Sequence, residues 1–128
     1  GKYEIKSKSS EIIYENGLEL VFMKNVIAIF TDNKNRKILI TSDLASFNSS
    51  NYNTFFKENI KIQYQNHNIT SDKIDFNFIK NNILIYENVV YSGPKNKIHT
   101  DNIQINLITK NIDFYMNNSD ENIKIISK

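Results

Sequence analysis

Three aspartates, Asp43, Asp72 and Asp101, stand 29 residues apart, and each follows Ser or Thr. Carboxylates at equal steps could ring a divalent cation or divide into general acid and base. Ser, Thr and Asp also bond nearby backbone, which suits them to bulges and corners. His67 and His99 lie 32 positions apart, without the spacing of a zinc-binding helix. No Gly-rich phosphate loop and no G-x-S-x-G elbow is present. These residues give no basis for an enzyme, and no metal or cofactor is expected.

The aspartates sit inside a phrase written three times: "ITSDLASFN" (40–48), "ITSDKIDFN" (69–77) and "IHTDNIQIN" (98–106). In each copy the leading Ile and the apolar residues after Asp differ in parity. Ile69 is odd, while Ile74, Phe76 and Phe78 are even; Ile98 is even, while Ile103, Ile105 and Leu107 are odd. Residues of opposite parity face opposite sides of a regular strand. Keeping them all in one core requires the strand to slip by one residue at Ser/Thr-Asp. The aspartates are therefore expected to mark a structural corner.

Period-2 alternation dominates the chain, and no apolar stripe of helical period lasts three turns. Turn signals fall at Asn16-Gly17, "TDNKNRK" (31–37), "NHN" (66–68), "KNN" (80–82) and "PKNK" (94–97). Each corner phrase is followed by a second element that opens on Asn and a branched residue, as in "NIKIQY" (59) and "NVVYSG" (88). An all-β domain over 1–128 is expected, built from strand-corner-strand units over about 5–25, 26–59, 60–88 and 89–116. Residues 117–128 form a tail or last strand. A period of this size signals stacked units that cannot bury their apolar faces alone.

Composition removes several functions. The net charge is +2, and Lys is interspersed with acids, so no basic stripe tracks a nucleic acid. There is no Cys, hence neither a disulfide framework nor a thiolate metal site. No apolar run is long enough to span a bilayer. The first residue is Gly, which points to a trimmed start with any signal or anchor upstream.

The phrase I-x-[ST]-D-x-[AI]-x-[FI]-N, with "[KE]-N-[VI]" about 12 residues later, resembles the OstA-like repeat of the lipopolysaccharide-export bridge (LptA/LptC) family. The resemblance spans Tyr3 to Met116 and looks most like the periplasmic domain of the LptC type. Ser42, Ser71 and Thr100 stand in place of the family's usual Ala, and Lys24, Glu58 and Glu87 where Gly often precedes Asn-Val.

The resemblance implies an open antiparallel β-jellyroll, two sheets facing one another across an apolar groove. It implies non-enzymatic transport of lipopolysaccharide, with lipid A acyl chains inside. The groove candidates are Ile40, Phe47, Ile62, Ile69, Ile74, Phe76, Phe78, Val89, Ile98, Ile103 and Ile105. The partner edge is Ile112, Asp113, Phe114, Tyr115 and Met116, which would pair with an LptA-like bridge protein. Removing 111–128 is expected to abolish that capture and leave the rest folded. The implied location is the periplasm of a Gram-negative bacterium, beside an inner-membrane export transporter complex, with tethering by an N-terminal helix upstream of this chain. The alternative is a structural or adhesive β-solenoid fragment that binds polysaccharide or protein.

Overall fold

The computed structural model describes residues 1–116 and the backbone of 124–127. Its strands are β1 (Lys2–Glu15), β2 (Leu18–Thr31), β3 (Lys37–Asn48), β4 (Thr54–Tyr64), β5 (His67–Asn77), β6 (Asn82–Ser92), β7 (Asn96–Asn106), β8 (Ile112–Tyr115) and β9 (Lys124–Ser127). They pair in chain order from β1 to β8, always antiparallel, and β9 pairs with β7. β8 takes the second half of β7, opposite Asn102 to Ile105, and β9 the first, opposite Asn96 to His99. A solenoid stacks parallel strands of successive coils, so this pairing excludes a solenoid architecture.

Every long strand is creased. On β5 the buried side chains are Ile69 and Ser71 before the crease and Ile74 and Phe76 after it. β3 repeats this with Ile40 and Ser42 before Ala45, and β7 with Ile98 and Thr100 before Ile103. On the even strands the crease lies at left-handed residues: Asn25, Glu58-Asn59 and Glu87-Asn88 all have positive φ. Asn is among the residues that tolerate this region best. The pair Glu58-Asn59 opposes the single Asp72, and Glu87-Asn88 opposes Asp101, so the register shifts there. These are two-against-one bulges, which bend a strand and increase its twist.

The creases divide one continuous sheet into two halves that fold face to face. The expected two sheets are thus two halves of one sheet, because β1 to β7 each cross the crease, while the short β8 and β9 each extend one half. Half A holds the segments around Tyr3–Ser7, Val26–Phe30, Ile60–Tyr64 and Val89–Tyr91, and half B those around Ser10–Tyr14, Val21–Met23, Phe56 and Ile103–Ile105. The expected unit boundaries at 25, 59 and 88 coincide with the left-handed Asn25, Asn59 and Asn88. The units from 26 on are each half a strand, a turn, a full creased strand, a turn and half a strand or the short β8, whereas 5–25 is β1, a turn and half of β2.

Several turns sit one or more residues from their expected places. The β4–β5 turn is Gln65-Asn66, and His67 begins β5. The β6–β7 turn is 93–95, so Asn96 belongs to a strand, and the β5–β6 loop is 78–81. In an Asn-rich chain the choice of turn residue is degenerate, and cross-strand register decides it. Asn16-Gly17 forms the two-residue β1–β2 turn with both φ positive (51° and 77°), as a type I′ turn requires.

Candidate functional site

The corner residues come first. Ser42 Oγ donates to the Leu44 carbonyl (2.9 Å), and Ser71 Oγ to the Lys73 carbonyl (3.3 Å). Thr100 Oγ1 donates to the Tyr115 carbonyl on β8 (2.8 Å). Each hydroxyl lies in the core at the point of slip and is satisfied by backbone, which avoids the cost of an unpaired buried polar group. The neighbouring aspartates face outward. Asn59 Nδ2 donates to Asp43 Oδ2 (2.6 Å), and Asn88 Nδ2 donates likewise to Asp72. The Asp of one motif and the Asn of the next thus tie adjacent creases together.

β3, β5 and β7 are two strands apart, so successive aspartates stand roughly 10 Å from one another. That is too far to share a proton or a cation directly. Among the described residues no three His, Asp or Glu side chains gather as a metal site. His67 hydrogen-bonds through Nδ1 to the Tyr91 hydroxyl, between the rings of Tyr64 and Tyr91.

The interior is apolar and is ordered in rows. Across half A one row runs Ile5, Ala28, Ile40, Ile62, Ile69, Tyr91, Ile98. Across half B another runs Ile12, Val21, Phe47, Thr54, Phe76, Ile83, Ile105, Ile112. The middle of each row is sealed: Ile40, Ile62, Ile69, Ile74, Phe76, Ile103 and Ile105 are at most 1% exposed, and Val89 and Ile98 are buried. The ends are open. Ile5, Val21, Phe47, Ile112 and Phe114 are half-buried, and Ile12 is 56% exposed. Of the expected groove residues, then, nine are packed core side chains. Phe47 lies towards the β1 end, and Phe78, half-buried, lies in the loop beyond β5.

Aromatic rings close the lip opposite the crease. Tyr3 of half A stacks on Phe76 of half B and on Phe78 (5.9 Å). The hydroxyls of Tyr3 and Thr54 share a hydrogen bond of 2.8 Å. Burial pushes the Tyr3 phenol up to about 12, against the opposing effect of the Thr54 bond. Phe47, Tyr52 and Phe78 continue the cluster.

An ion pair reinforces this lip. Lys110, in the β7–β8 loop, places Nζ 3.8 Å from Asp32 Oδ2 in the β2–β3 loop and 5.3 Å from the centre of the Phe30 ring. Asp32 also accepts from the Arg36 guanidinium (2.7 Å) and from the Arg36 and Lys34 N–H groups. Desolvation raises the Asp32 carboxyl, and these bonds outweigh it, leaving the group at about 2. Burial pushes the Lys110 ammonium down, which Asp32 opposes. No spacing in the sequence announces the contacts of Tyr3 with Phe76 or of Asp32 with Lys110, because they form across the interior or between distant loops.

At the C-terminal end Ile112 and Phe114 of β8 lie opposite Ile105 and Ile103, and Phe114 meets Tyr91 edge-on at 5.1 Å. Asp113 and Tyr115 face outward, and Met116 follows the strand. The "IKIIS" run supplies β9, whose side chains lie outside the described residues, as do those of 117–123.

No known family profile matches the chain, and no curated protein matches it in sequence. Its fold is similar to the crystal structure of LptH from Pseudomonas aeruginosa, the LptA-homologous periplasmic component of the conserved lipopolysaccharide transport device. The TM-score is 0.70 at 8% identity, over 98% of this chain and 94% of that one. The chain therefore has an open antiparallel β-jellyroll fold.

Proposed function

We propose that this domain carries lipopolysaccharide, with the acyl chains between its two half-sheets and the saccharide outside. The observation behind this reading is the pair of apolar rows that cross the interior: the half-B row is half-buried or exposed at both ends, from Ile12 to Ile112, and the half-A row is half-buried at Ile5. A sealed scaffold would need no apolar surface at its ends. The shared fold with LptH supports the same reading. Acyl chains gain about 0.8 kcal/mol per buried methylene, so apolar area alone can hold them once the half-sheets part. Ile40, Phe47, Ile62, Ile69, Ile74, Phe76, Phe78, Val89, Ile98, Ile103 and Ile105 line the path. No proton transfer or bond cleavage is involved.

In this reading the lipid passes along a periplasmic bridge. The outer edge formed by Ile112, Asp113, Phe114, Tyr115 and Met116 receives an LptA-like protein by strand addition, where backbone pairing gives affinity and alternate side chains give specificity. An N-terminal anchor upstream of this chain would set the domain beside the inner-membrane export transporter complex.

The test is photo-crosslinking. A photoreactive residue at Phe76 or Phe47 should capture lipopolysaccharide, whereas one at the exposed loop residue Lys34 should not. Equal capture at all three positions, or none at Phe76 and Phe47 in a folded sample, would overturn the conduit.

A further inference from the structure

Among the described residues β1 is paired on one side only, over the fourteen positions Lys2–Glu15. An edge of that length is ordinarily shortened, covered or charged against association. This one is complementary to itself. Laid antiparallel on its own copy, "KYEIKSKSSEIIYE" sets Lys2 against Glu15, Tyr3 against Tyr14, Ile5 against Ile12, Lys6 against Glu11 and Ser7 against Ser10. We propose that β1 pairs with β1 of a second copy about a two-fold axis between Lys8 and Ser9, joining two nine-stranded sheets into one.

The fold meets the conditions for this contact. Tyr3, Ile5 and Ser7 face inward and are half-buried in half A. In half B the register sets Ser10 and Ile12 opposite the inward Met23 and Val21 of β2, with Tyr14 on the same face, so the side-chain phase slips at Lys8; these three are exposed at the open edge, and Ile13 is half-buried on the other face. Each apolar pair therefore joins two inward residues, and each charged pair two outward ones. Ile12 and Tyr14, 56% and 77% exposed, gain Ile5 and Tyr3 of the second copy as neighbours. Cross-strand apolar, aromatic and opposite-charge pairs are the units that stabilise sheets.

The backbone agrees. Glu15 and Leu18 close the two-residue turn, so they exchange both their hydrogen bonds, and alternation assigns Ile13 and Glu11 to β2 as well. The N–H and C=O groups of Ser10, Ile12 and Tyr14 then point away from β2. In a strand of L-residues the face of a side chain fixes the edge to which its N–H points. The inward residues Tyr3, Ile5 and Ser7 consequently point outward at the edge too. The three inward pairs are thus hydrogen-bonded pairs. An unslipped strand would put free groups of one copy against spent groups of the other in this register. The two-fold axis also sets crease against crease, with half A of one copy continuing half B of the next. Since the surface is its own complement, the assembly closes at two copies.

This contact does not depend on what the interior carries, and it is tested without lipid. The chain has no Cys, so Lys6→Cys and Glu11→Cys copies can be mixed and mildly oxidised. Disulfide-linked dimers should form in the mixture and not with either variant alone. In sedimentation the unmodified chain should show twice the monomer mass. Lys6→Glu or Glu11→Lys alone should raise the dimer dissociation constant at least tenfold, and an equal mixture of the two should recover the original value. Both side chains are exposed, and circular dichroism checks that the variants stay folded. A monomer at all concentrations, an open-ended series of oligomers, absent cross-links, or a mixture that fails to recover would each overturn the proposal.

Discussion

Tyr3 on the edge strand lies flat on Phe76 of β5, ring centroids 4.6 Å apart and planes within 6°. The contact joins the two half-sheets across the interior. Tyr3→Phe removes only the hydrogen bond to Thr54, whose hydroxyl keeps the Tyr52 carbonyl at 3.2 Å. It should cost about 0.5–1.5 kcal/mol. Tyr3→Ala also empties the stack and should cost about 3–5 kcal/mol. Urea unfolding measures both. If Tyr3 shuts the lip on the interior, Tyr3→Ala should also increase lipopolysaccharide capture at Phe76, while Tyr3→Phe leaves it unchanged.

The bulge residue Glu58 has φ of 70°, a conformation that costs a non-Gly residue roughly 1–2 kcal/mol. Gly removes that strain but adds about 0.5–1 kcal/mol of unfolded-state entropy. Glu58→Gly should therefore be neutral or stabilising by up to about 1.5 kcal/mol, and Glu58→Val clearly destabilising. Glu87→Gly should gain less, since Glu87 also pairs with Lys73 at 3.1 Å. Equal loss of stability from Glu58→Gly and Glu58→Val would show that the left-handed backbone is not what matters there.

Asp72→Asn should change stability by no more than about 1 kcal/mol, because its bond to Asn88 is exposed. Calorimetry should show no tight calcium or magnesium binding. Tight binding abolished by Asp72→Asn would return the aspartates to the role of ligands.

Asp32 has a folded-state pKa of about 2 against 3.8 unfolded. A depressed carboxyl stabilises the fold fully above the unfolded value and loses that contribution as pH falls through the folded one. Stability should accordingly decline between pH 4 and pH 2, with the lip between Asp32 and Lys110 loosening first. Asp32→Asn should lower stability at neutral pH and flatten the curve in that window. A wild-type slope retained in Asp32→Asn would assign the acid sensitivity elsewhere.

Deleting 111–128 removes β8 and β9 together and uncovers Ile103, Ile105 and Ile98 on β7. Fully burying one such side chain contributes about 1.5–3 kcal/mol. The shortened chain should lose cooperative thermal unfolding, contrary to the expectation from sequence that it stays folded. A probe of the edge that keeps the core is Asp113→Lys, which changes only an outward side chain. If β8 is the docking edge, this change should weaken capture of an LptA-like partner without shifting the melting temperature.

The creases were legible in the sequence because a change of parity within a strand has few remedies. Ile69 and Ile74 can share a core only if the backbone slips between them, and Ser71 and Asp72 supply the local bonds for it. The β1–β2 turn was legible because Asn16-Gly17 meets a narrow conformational demand. The site was less so. Ile40 or Ile62 has the same alternation in a packed core as on a groove wall, since one strand's pattern reports a face and not what lies across from it. The meeting of Tyr3 with Phe76, or of Asp32 with Lys110, depends on how the half-sheets close, which no local pattern records.

Asn25, Asn59 and Asn88 occupy the same left-handed state at the same depth in the fold. The chain between two of them is consequently interchangeable text. Cutting out residues 60–88 would join Asn59 to Val89, which is the junction Asn88 already makes. The first half of β4 would continue into the second half of β6 with face, edge and direction unchanged. The length of the sheet, and of any path through it, is thus a count of units that gene duplication can raise or lower one at a time, leaving the two end strands as they are.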